Sequence, residues 1–363
     1  MKQIKIILAV ILSFALVGCQ SSSSKYQYLK DSFTGPFDTV IEYMAYVKSQ
    51  KEFDTQMKLI KEELTRLDQL FDKYTSYEGL NNIKTINDNA GIKAVSVDPV
   101  IVDMLQKSVT DYKTVSTKVN IAMGSVLSLW HDSRDNAVDG VGVPPSTSQL
   151  EEASQHMNID SVEIDTINNT VYISDPKTSI DVGATAKGYA IEYVKQVLID
   201  NGVEAFLISG GGNIASYGER KIKANGNEFV PRSKNEFFVG IESPNNGAYS
   251  DGKYPAMIIA DNKAIVTSGD YQRNFKDKDG NVYSHLVDPD TLYPATYFRS
   301  VSIITEDSGY ADFLSSTLFL LPYEEGKALV DSLEGVEAVW LLNDGTVQYT
   351  DGLVEGDNFH LNR

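Results

Sequence analysis

The stretch Ser179-Ile-Asp-Val-Gly-Ala-Thr-Ala-Lys-Gly-Tyr-Ala190 constrains this chain more than any other. It reads as a strand, a turn at Gly183-Ala184 and then a helix, with Ile191, Val194, Val197 and Leu198 at helical spacing. The helix is expected to stop before Asn201-Gly202. A second strand, Ala205–Ile208, should then run into the glycine loop Ser209-Gly-Gly-Gly-Asn213. Two glycine turns flanking one helix leave backbone N–H groups free to meet an anion. Lys187, one helical step past the first turn, adds positive charge. Gly211, Gly212, Asn213 and Lys187 are therefore candidates for holding a phosphate-type ligand, and Asp181, just before the first turn, is counted in the cofactor-binding set.

Residues 1–18 have the form of a signal peptide. Lys2 and Lys5 precede an apolar run, Ile6–Val17, too short to span a bilayer. Leu16-Val-Gly-Cys19 then resembles a bacterial lipobox, which makes Cys19, the only cysteine, a lipidation site. Residues 19–30 read as lipidated cysteine plus a flexible stalk, and 31–363 as the folded domain. The formal net charge is −18, from 32 basic and 50 acidic side chains. Such a surface repels nucleic acid and also repels a dinucleotide, so a phosphate site must be locally positive or use a metal.

Further elements are legible along the chain. Phe37–Tyr46 reads as a strand, and Lys51–Asp72 as an amphipathic helix presenting Phe53, Met57, Ile60, Leu64, Leu67 and Phe71. Lys73–Gly79 is turn-rich and Asn81–Gly91 asparagine-rich. Asp98 is expected to cap a helix from Pro99 to about Lys113. His131 should open a polar loop, Ser148–Met157 a short helix, and Ser161–Asp165 with Thr170–Ser174 a hairpin. Ser216–Val230 is irregular and basic. Phe237–Ile241, Met257–Ile259, Ala264–Tyr271 and Ser300–Thr305 suit strands, Asp277–Asn281 a hairpin tip, and Gly309–Leu321 a helix. The expected fold is α+β: one globular unit with a mixed sheet and one cleft.

Polar groups gather in four segments: Asp181–Lys187, Thr267–Tyr271, His285–Asp288, and Asp312 with Ser316. The last two residues lie four apart on a helix, so a carboxylate and a hydroxyl share one face. Both are hard oxygen ligands suited to Mg²⁺, although the same spacing serves helix capping and backbone bonding. No HExxH, CxxC or Gly-x-Ser-x-Gly motif occurs, and Gly210-Gly-Gly-Asn is not a Rossmann fingerprint.

Five of these motifs resemble, in order and spacing, those of the ApbE family, the bacterial FAD:protein FMN transferases, many of them lipoproteins. They are Asp181–Ala190, Gly211-Gly-Asn213, Thr267-Ser-Gly-Asp270, His285-Leu-Val-Asp-Pro289 and Ala311-Asp-Phe-Leu-Ser-Ser316. Phe37-Asp-Thr39 and Leu70-Phe-Asp-Lys-Tyr74 resemble the family's N-terminal segments, so the likeness covers nearly all of 31–363. The resemblance implies an ApbE-like fold with a flavin-nucleotide cleft. It also implies Mg²⁺-dependent transfer of FMN from FAD to a threonine of an exported electron-transfer protein, with AMP released. It places the metal on the Ala184 carbonyl, Asp312 and Ser316, where the family more often has threonine. His285 becomes the base that accepts the threonine proton, Asp288 its orienting group and Asp270 a possible second base. Asp38, Thr39, Thr267, Ser268 and Gly269 join the cofactor-binding set, with Tyr74 and Tyr271 as candidate flavin walls. Gly183-Ala-Thr185 superficially resembles an acceptor motif but reads as scaffold. Leu292 stands where the family commonly has glycine, and a leucine resists φ > 0. The implied location is the outer face of the cell membrane, anchored through lipid on Cys19. Competing readings are an FAD pyrophosphatase yielding FMN and AMP, a flavin-binding lipoprotein without turnover, and a generic solute-binding lipoprotein.

Overall fold

The computed structural model describes residues 26–220, 237–242, 254–271 and 273–361. Cys19, the signal peptide and most of the basic segment 216–230 lie outside the described residues. Among the described residues no helix is long and apolar enough to cross a membrane.

The chain opens with strands β1 (Gln27–Thr34) and β2 (Val40–Val47), which pair antiparallel. β1 begins inside the segment expected to be a stalk. A short turn at Pro36–Asp38 separates the two strands, so the expected strand starts at Val40 and not Phe37. Helix α1 (Gln50–Phe71) is capped by Ser49, whose side chain accepts from the Glu52 N–H. Its buried face is close to expectation, but Gln56 is buried where Met57 was expected, because its Oε1 accepts from Tyr43 Oη at 2.9 Å. The asparagine-rich segment forms α2 (Ile83–Asp88), since Asn82 and Thr85 build a reciprocal cap. Next come β3 (Val95–Ser96) and α3 (Pro99–Thr114), with Asp98 as its cap.

Helix α4 (Gly124–Asp135) contains His131, which is therefore on a helix and not in a loop. Its buried Val126 and Trp130 lie one turn apart and pull that turn onto the core. α5 (Thr147–Ser154) ends three residues before the expected Met157, and the hairpin β4 (Val162–Asp165) and β5 (Thr170–Ile173) follows where expected. Residues 179–182 are extended but form only a single bridge, Ser179 to Met123, and no strand. Helix α6 (Ala186–Asp200) ends at Asn201, and Gly202 takes φ 76°. Strands β6 (Phe206–Gly210) and β7 (Asn213–Tyr217) make a tight hairpin through Gly211-Gly212. Then come β8 (Phe237–Ile241), β9 (Ala256–Ala260), β10 (Ala264–Gly269), and the ribbon β11 (Asn274–Lys276) with β12 (Val282–Ser284). The chain continues through β13 (Phe298–Thr305), α7 (Ser308–Phe319), α8 (Tyr323–Asp331), β14 (Glu337–Leu342), β15 (Val347–Tyr349) and β16 (Phe359–Leu361).

One sheet of eight strands organises the unit, in the order β1-β2-β6-β7-β10-β13-β14-β15. Every ladder within it is antiparallel, and among the described residues parallel pairing occurs only as isolated bridges. Alternation along each strand assigns its faces. Phe206 and Ile208 point into the core under α1, α3 and α6, whereas Leu207 points to the opposite layer. Val301, Ile303, Ala338 and Trp340 meet α7 and α8. The second face is covered by the three-stranded sheet β16-β9-β8. Burying a side chain such as Trp340 or Phe206 fully contributes on the order of 2–3 kcal/mol. Helices on one face and a small sheet on the other leave the ends of β7, β10 and α7 to frame the site.

Candidate active site

The starts of α6 and α7 meet because Gly188 has no side chain. A Cβ there would fall on the Ser308 carbonyl and the Asp312 Cβ. The contact lets the Gly188 N–H donate to Asp312 Oδ2 at 2.8 Å, across 124 positions of sequence. Asp312 is buried, and burial pushes its carboxyl pKa up, while Lys187, the Gly188 N–H and the nearby Asn213 amide act against that. The Asn213 Nδ2 favours the charged form from outside hydrogen-bond geometry. With Gly188 engaged elsewhere, the Ala184 carbonyl receives no backbone N–H among the described residues. Ala184 packs against the cluster that contains Ala311 and Leu314 of α7. One turn beyond Asp312 the buried Ser316 Oγ lies 3.3 Å from Ser268 Oγ, which also meets Ser315 Oγ at 2.9 Å. The Asp312 carboxylate and the Ser316 hydroxyl thus lie one turn apart on α7, and the Ala184 carbonyl belongs to the turn packed against that helix. These are oxygen donors of the kind a hard divalent ion takes. No group of three or more His, Cys, Asp or Glu able to hold a metal occurs among the described residues, so a cation here would lean on carbonyl and hydroxyl oxygens.

Beside this junction Lys187 Nζ donates to Asn213 Oδ1 at 2.8 Å. Burial pulls the Lys187 pKa down, with Arg273 adding to the effect and Asp312 opposing it. Gly211 and Gly212 take φ 56° and 95° in the β6–β7 turn, conformations that glycine adopts without strain. Thr39 lies directly over Gly211, where a Cβ would strike its hydroxyl. Asp38 is exposed with φ 51°, in the turn preceding Thr39. The Thr267 N–H reaches the Gly212 carbonyl at 3.2 Å, and its hydroxyl meets Ser302 Oγ at 2.7 Å. Tyr271 folds its ring back over Gly269, and burial raises its phenol to about 12.

His285 follows β12. Its Nδ1 is buried without a partner among the described residues. Burial, then the charges of Arg273, Lys187 and Arg134, bring its pKa down to about 4. The imidazole is thus neutral near pH 7 and can accept a proton. No hydrogen bond joins Asp288 to it among the described residues. Its Oδ1 accepts from Lys118 Nζ at 2.8 Å and from the Asp290 N–H at 3.0 Å, which makes it the clamp of its own turn. Lys118 was not singled out in the sequence, yet it also holds Asp290 at 2.8 Å. Asp270 is paired with Arg299 at 3.2 Å, and burial raises its carboxyl pKa against that charge. Leu292 does take φ 64°, the conformation expected of the absent glycine. Its carbonyl accepts from Trp130 Nε1 at 3.0 Å and its N–H donates to the Asp288 carbonyl at 2.8 Å. Its side chain packs with the Trp130 cluster.

Two members of a second group, Lys73 and His131, escaped sequence reasoning. Asp181 is buried, and its Oδ2 accepts from Lys73 Nζ at 2.5 Å. Burial alone would raise the Asp181 pKa; the Lys73 and His131 charges hold it below the usual carboxylate range. His131 Nδ1 lies 3.2 Å from Lys73 Nζ and 3.1 Å from Tyr74 Oη, and burial brings that imidazole down to about 4. The Tyr74 ring is 64% exposed beneath Lys73 Nζ. A buried acid in a turn needs a cation, and that need was the available signal. The segment 121–124 also closes on this wall: Asp181 N–H donates to the Ile121 carbonyl at 2.8 Å, and Gly124 N–H to the Ser179 carbonyl at 2.9 Å.

Comparison with known proteins then adds an independent line. The ApbE family model matches residues 37–340. An FAD:protein FMN transferase of Treponema pallidum is 29% identical over 280 residues, covering 75% of this chain and 74% of the relative. One from Klebsiella pneumoniae is 26% identical, covering 76% and 81%. The crystal structure of an ApbE protein from Thermotoga maritima superposes with a TM-score of 0.73 at 26% identity, over 90% of this chain and 97% of that one. The flavin transferase ApbE of Vibrio cholerae shares the fold at a TM-score of 0.69 and 19% identity, over 89% and 97%. With a match spanning most of its length, the chain belongs to the ApbE family.

Proposed function

We propose that this protein transfers FMN from FAD to a threonine hydroxyl of an exported acceptor protein and releases AMP. The observation that carries the proposal is the Gly188–Asp312 hydrogen bond, which joins two motif segments distant in sequence. Ala184, Asp312 and Ser316 would hold a Mg²⁺ ion. When bound, it would offset charge at the flavin dinucleotide's diphosphate. Lys187 supplies a cation from the protein side, and the N–H groups of the glycine turns meet phosphate oxygens. Thr39, Asp38, Thr267 and Ser268 line the same approach, and Tyr271 and Tyr74 offer aromatic walls for the flavin. His285, neutral and without a partner on Nδ1, accepts the proton of the acceptor hydroxyl as that oxygen bonds to the FMN phosphorus. The P–O bond to AMP breaks in the same displacement. Lys118, through Asp288, fixes the turn that follows the histidine. Lipid on Cys19 would keep the domain at the outer face of the cell membrane, where exported acceptors are found.

The test is mass spectrometry of threonine peptides drawn from exported flavoproteins, incubated with the protein, FAD and Mg²⁺. The expected result is a peptide heavier by one FMN, with AMP released in equal amount. FAD consumed to free FMN and AMP, with no peptide modified, would replace transfer by hydrolysis. His285→Ala should lower the rate by at least about 100-fold, the usual range for a proton-transfer group. An unchanged rate would remove the base assignment.

A further inference from the structure

The β11–β12 ladder pairs Asn274 with Ser284 and Phe275 with Tyr283. One step further along, Arg273 comes opposite His285. Both lie in the bends just beyond the two strands, where the Arg273 main chain meets the imidazole, beside the stacked rings of Phe275 and Tyr283, whose centroids are 5.3 Å apart. Those rings look toward α4, since Trp130 lies 5.4 Å from Tyr283.

Most cations around this point are matched by an acid; among the described residues Lys187, Lys276 and Arg273 are not. Lys73 has Asp181, Lys118 has Asp288 and Asp290, Arg134 has Asp135, and Arg299 has Asp270. Lys187 is bonded to the neutral Asn213 amide and feels the Asp312 charge. Arg273 is exposed and has no ion pair among the described residues, in a chain with 50 acidic and 32 basic side chains. Finding an arginine unmatched in so acidic a protein, beside a partly buried lysine and a buried imidazole, leaves local excess positive charge. Its repulsion is felt at both: after burial, Arg273 is the next influence lowering His285, and it lowers Lys187 as well. Two buried polar atoms nearby, His285 Nδ1 and Asn213 Nδ2, also have no partner among the described residues. Such a cluster is stabilised by an anion placed among its members.

We infer that Arg273 is a second cation for the substrate's diphosphate, reaching it from the β11–β12 ribbon while Lys187 reaches it from α6. The inference rests on FAD being the substrate and adds a residue to its phosphate site. A planar guanidinium with five donors suits two phosphate oxygens at once, which a lysine cannot match. The assignment also explains why no carboxylate among the described residues closes on Arg273. An acid there would compete with the nucleotide.

The test compares wild type, Arg273→Gln and Arg273→Lys for binding of FAD, ADP and riboflavin by calorimetry, at roughly 50 and 300 mM salt. Riboflavin carries no phosphate and reports whether the flavin wall is intact. Arg273→Gln should weaken FAD and ADP about tenfold at low salt, flatten their salt dependence, and leave riboflavin unchanged. Arg273→Lys should recover part of the loss. FAD and ADP affinities within about twofold of wild type would overturn the inference, and so would riboflavin weakened as much as FAD. Wild type failing to bind FAD would instead overturn the substrate assignment, so the two failures are distinguishable.

Discussion

Gly188→Ala is the most direct probe of the helix junction. In an exposed helix the change would stabilise by about 1 kcal/mol, because alanine loses less backbone freedom on folding. Here the new methyl lands on the Ser308 carbonyl and the Asp312 Cβ, both fixed in the first turns of α7. Neither can rotate aside, so the helices must separate. Overpacking of this kind costs about 1–3 kcal/mol or more. The Gly188–Asp312 hydrogen bond is lost with it, and a bond to a buried carboxylate contributes about 1.5–3 kcal/mol. After subtracting the helix gain, a net loss of about 3 kcal/mol is expected. For a folded unit of this length that is about 4 °C in Tm, taking the usual entropy per residue. Gly326→Ala is the control. It lies within α8, and its new Cβ would come no closer than 3.5 Å to Leu318 Cδ2. That variant should gain up to about 1 kcal/mol. Scanning calorimetry of both variants, with Mg²⁺ titrated against FAD turnover, reads the outcome. Gly188→Ala should also need more Mg²⁺ for half-maximal rate. Should both variants shift Tm upward alike, with Gly188→Ala keeping wild-type metal dependence, the junction would not be the metal's seat.

Acid sensitivity follows from two imidazoles. His131 and His285 both fall from about 6.5 to about 4 on folding, mainly through burial, so the folded form resists protonation that the unfolded chain accepts. Stability held above pH 6.5 is therefore lost as pH falls towards 4, by up to about 1.4 kcal/mol per pH unit for each histidine. Asp111, raised to about 6 by burial, opposes one of them, because the folded form then takes up a proton first. Urea unfolding between pH 7 and 4.5 should show His131→Gln flattening the acid slope by about one proton, and an unaltered slope would reject the assignment. Leu292 offers an inversion of the usual order. Because φ is 64° there, Leu292→Gly should be more stable than Leu292→Ala by about 1 kcal/mol in chemical denaturation, and the reverse order would show that the backbone relaxes on truncation.

Much of the architecture could be read from local pattern. α1 and α3 carry long apolar stripes and side-chain caps, and their ends came within a residue or two. The hairpins β4–β5 and β11–β12 carry asparagine or Asp-Gly turns that announce themselves. The residues that failed depend on distant partners. His131 is in a helix because Trp130 docks on Phe275 and Tyr283, a contact across more than a hundred positions. Residues 179–182 have strand-like composition, but only Met123 offers a pairing edge. β15 and β16 went unread because each is short and gains its meaning from neighbours already in place, and the longer β14 was missed with them. Within the site, motif residues such as Asp312 and Lys187 were visible as types at a spacing. The cations that pair with the buried acids, Lys73 with Asp181 and Lys118 with Asp288, come from other elements with no motif of their own.

The ribbon that bears His285 shares no ladder with the eight-stranded sheet among the described residues; their links are lighter, such as the Asn274 side chain donating to the Asp270 carbonyl at 2.8 Å. The proposed proton acceptor and the proposed metal seat thus stand on separate mounts, one a small plate propped on Trp130, the other the main frame of the molecule. Damage to the plate should slow the chemistry in an enzyme that still grips its nucleotide. Damage to the frame should lose both together.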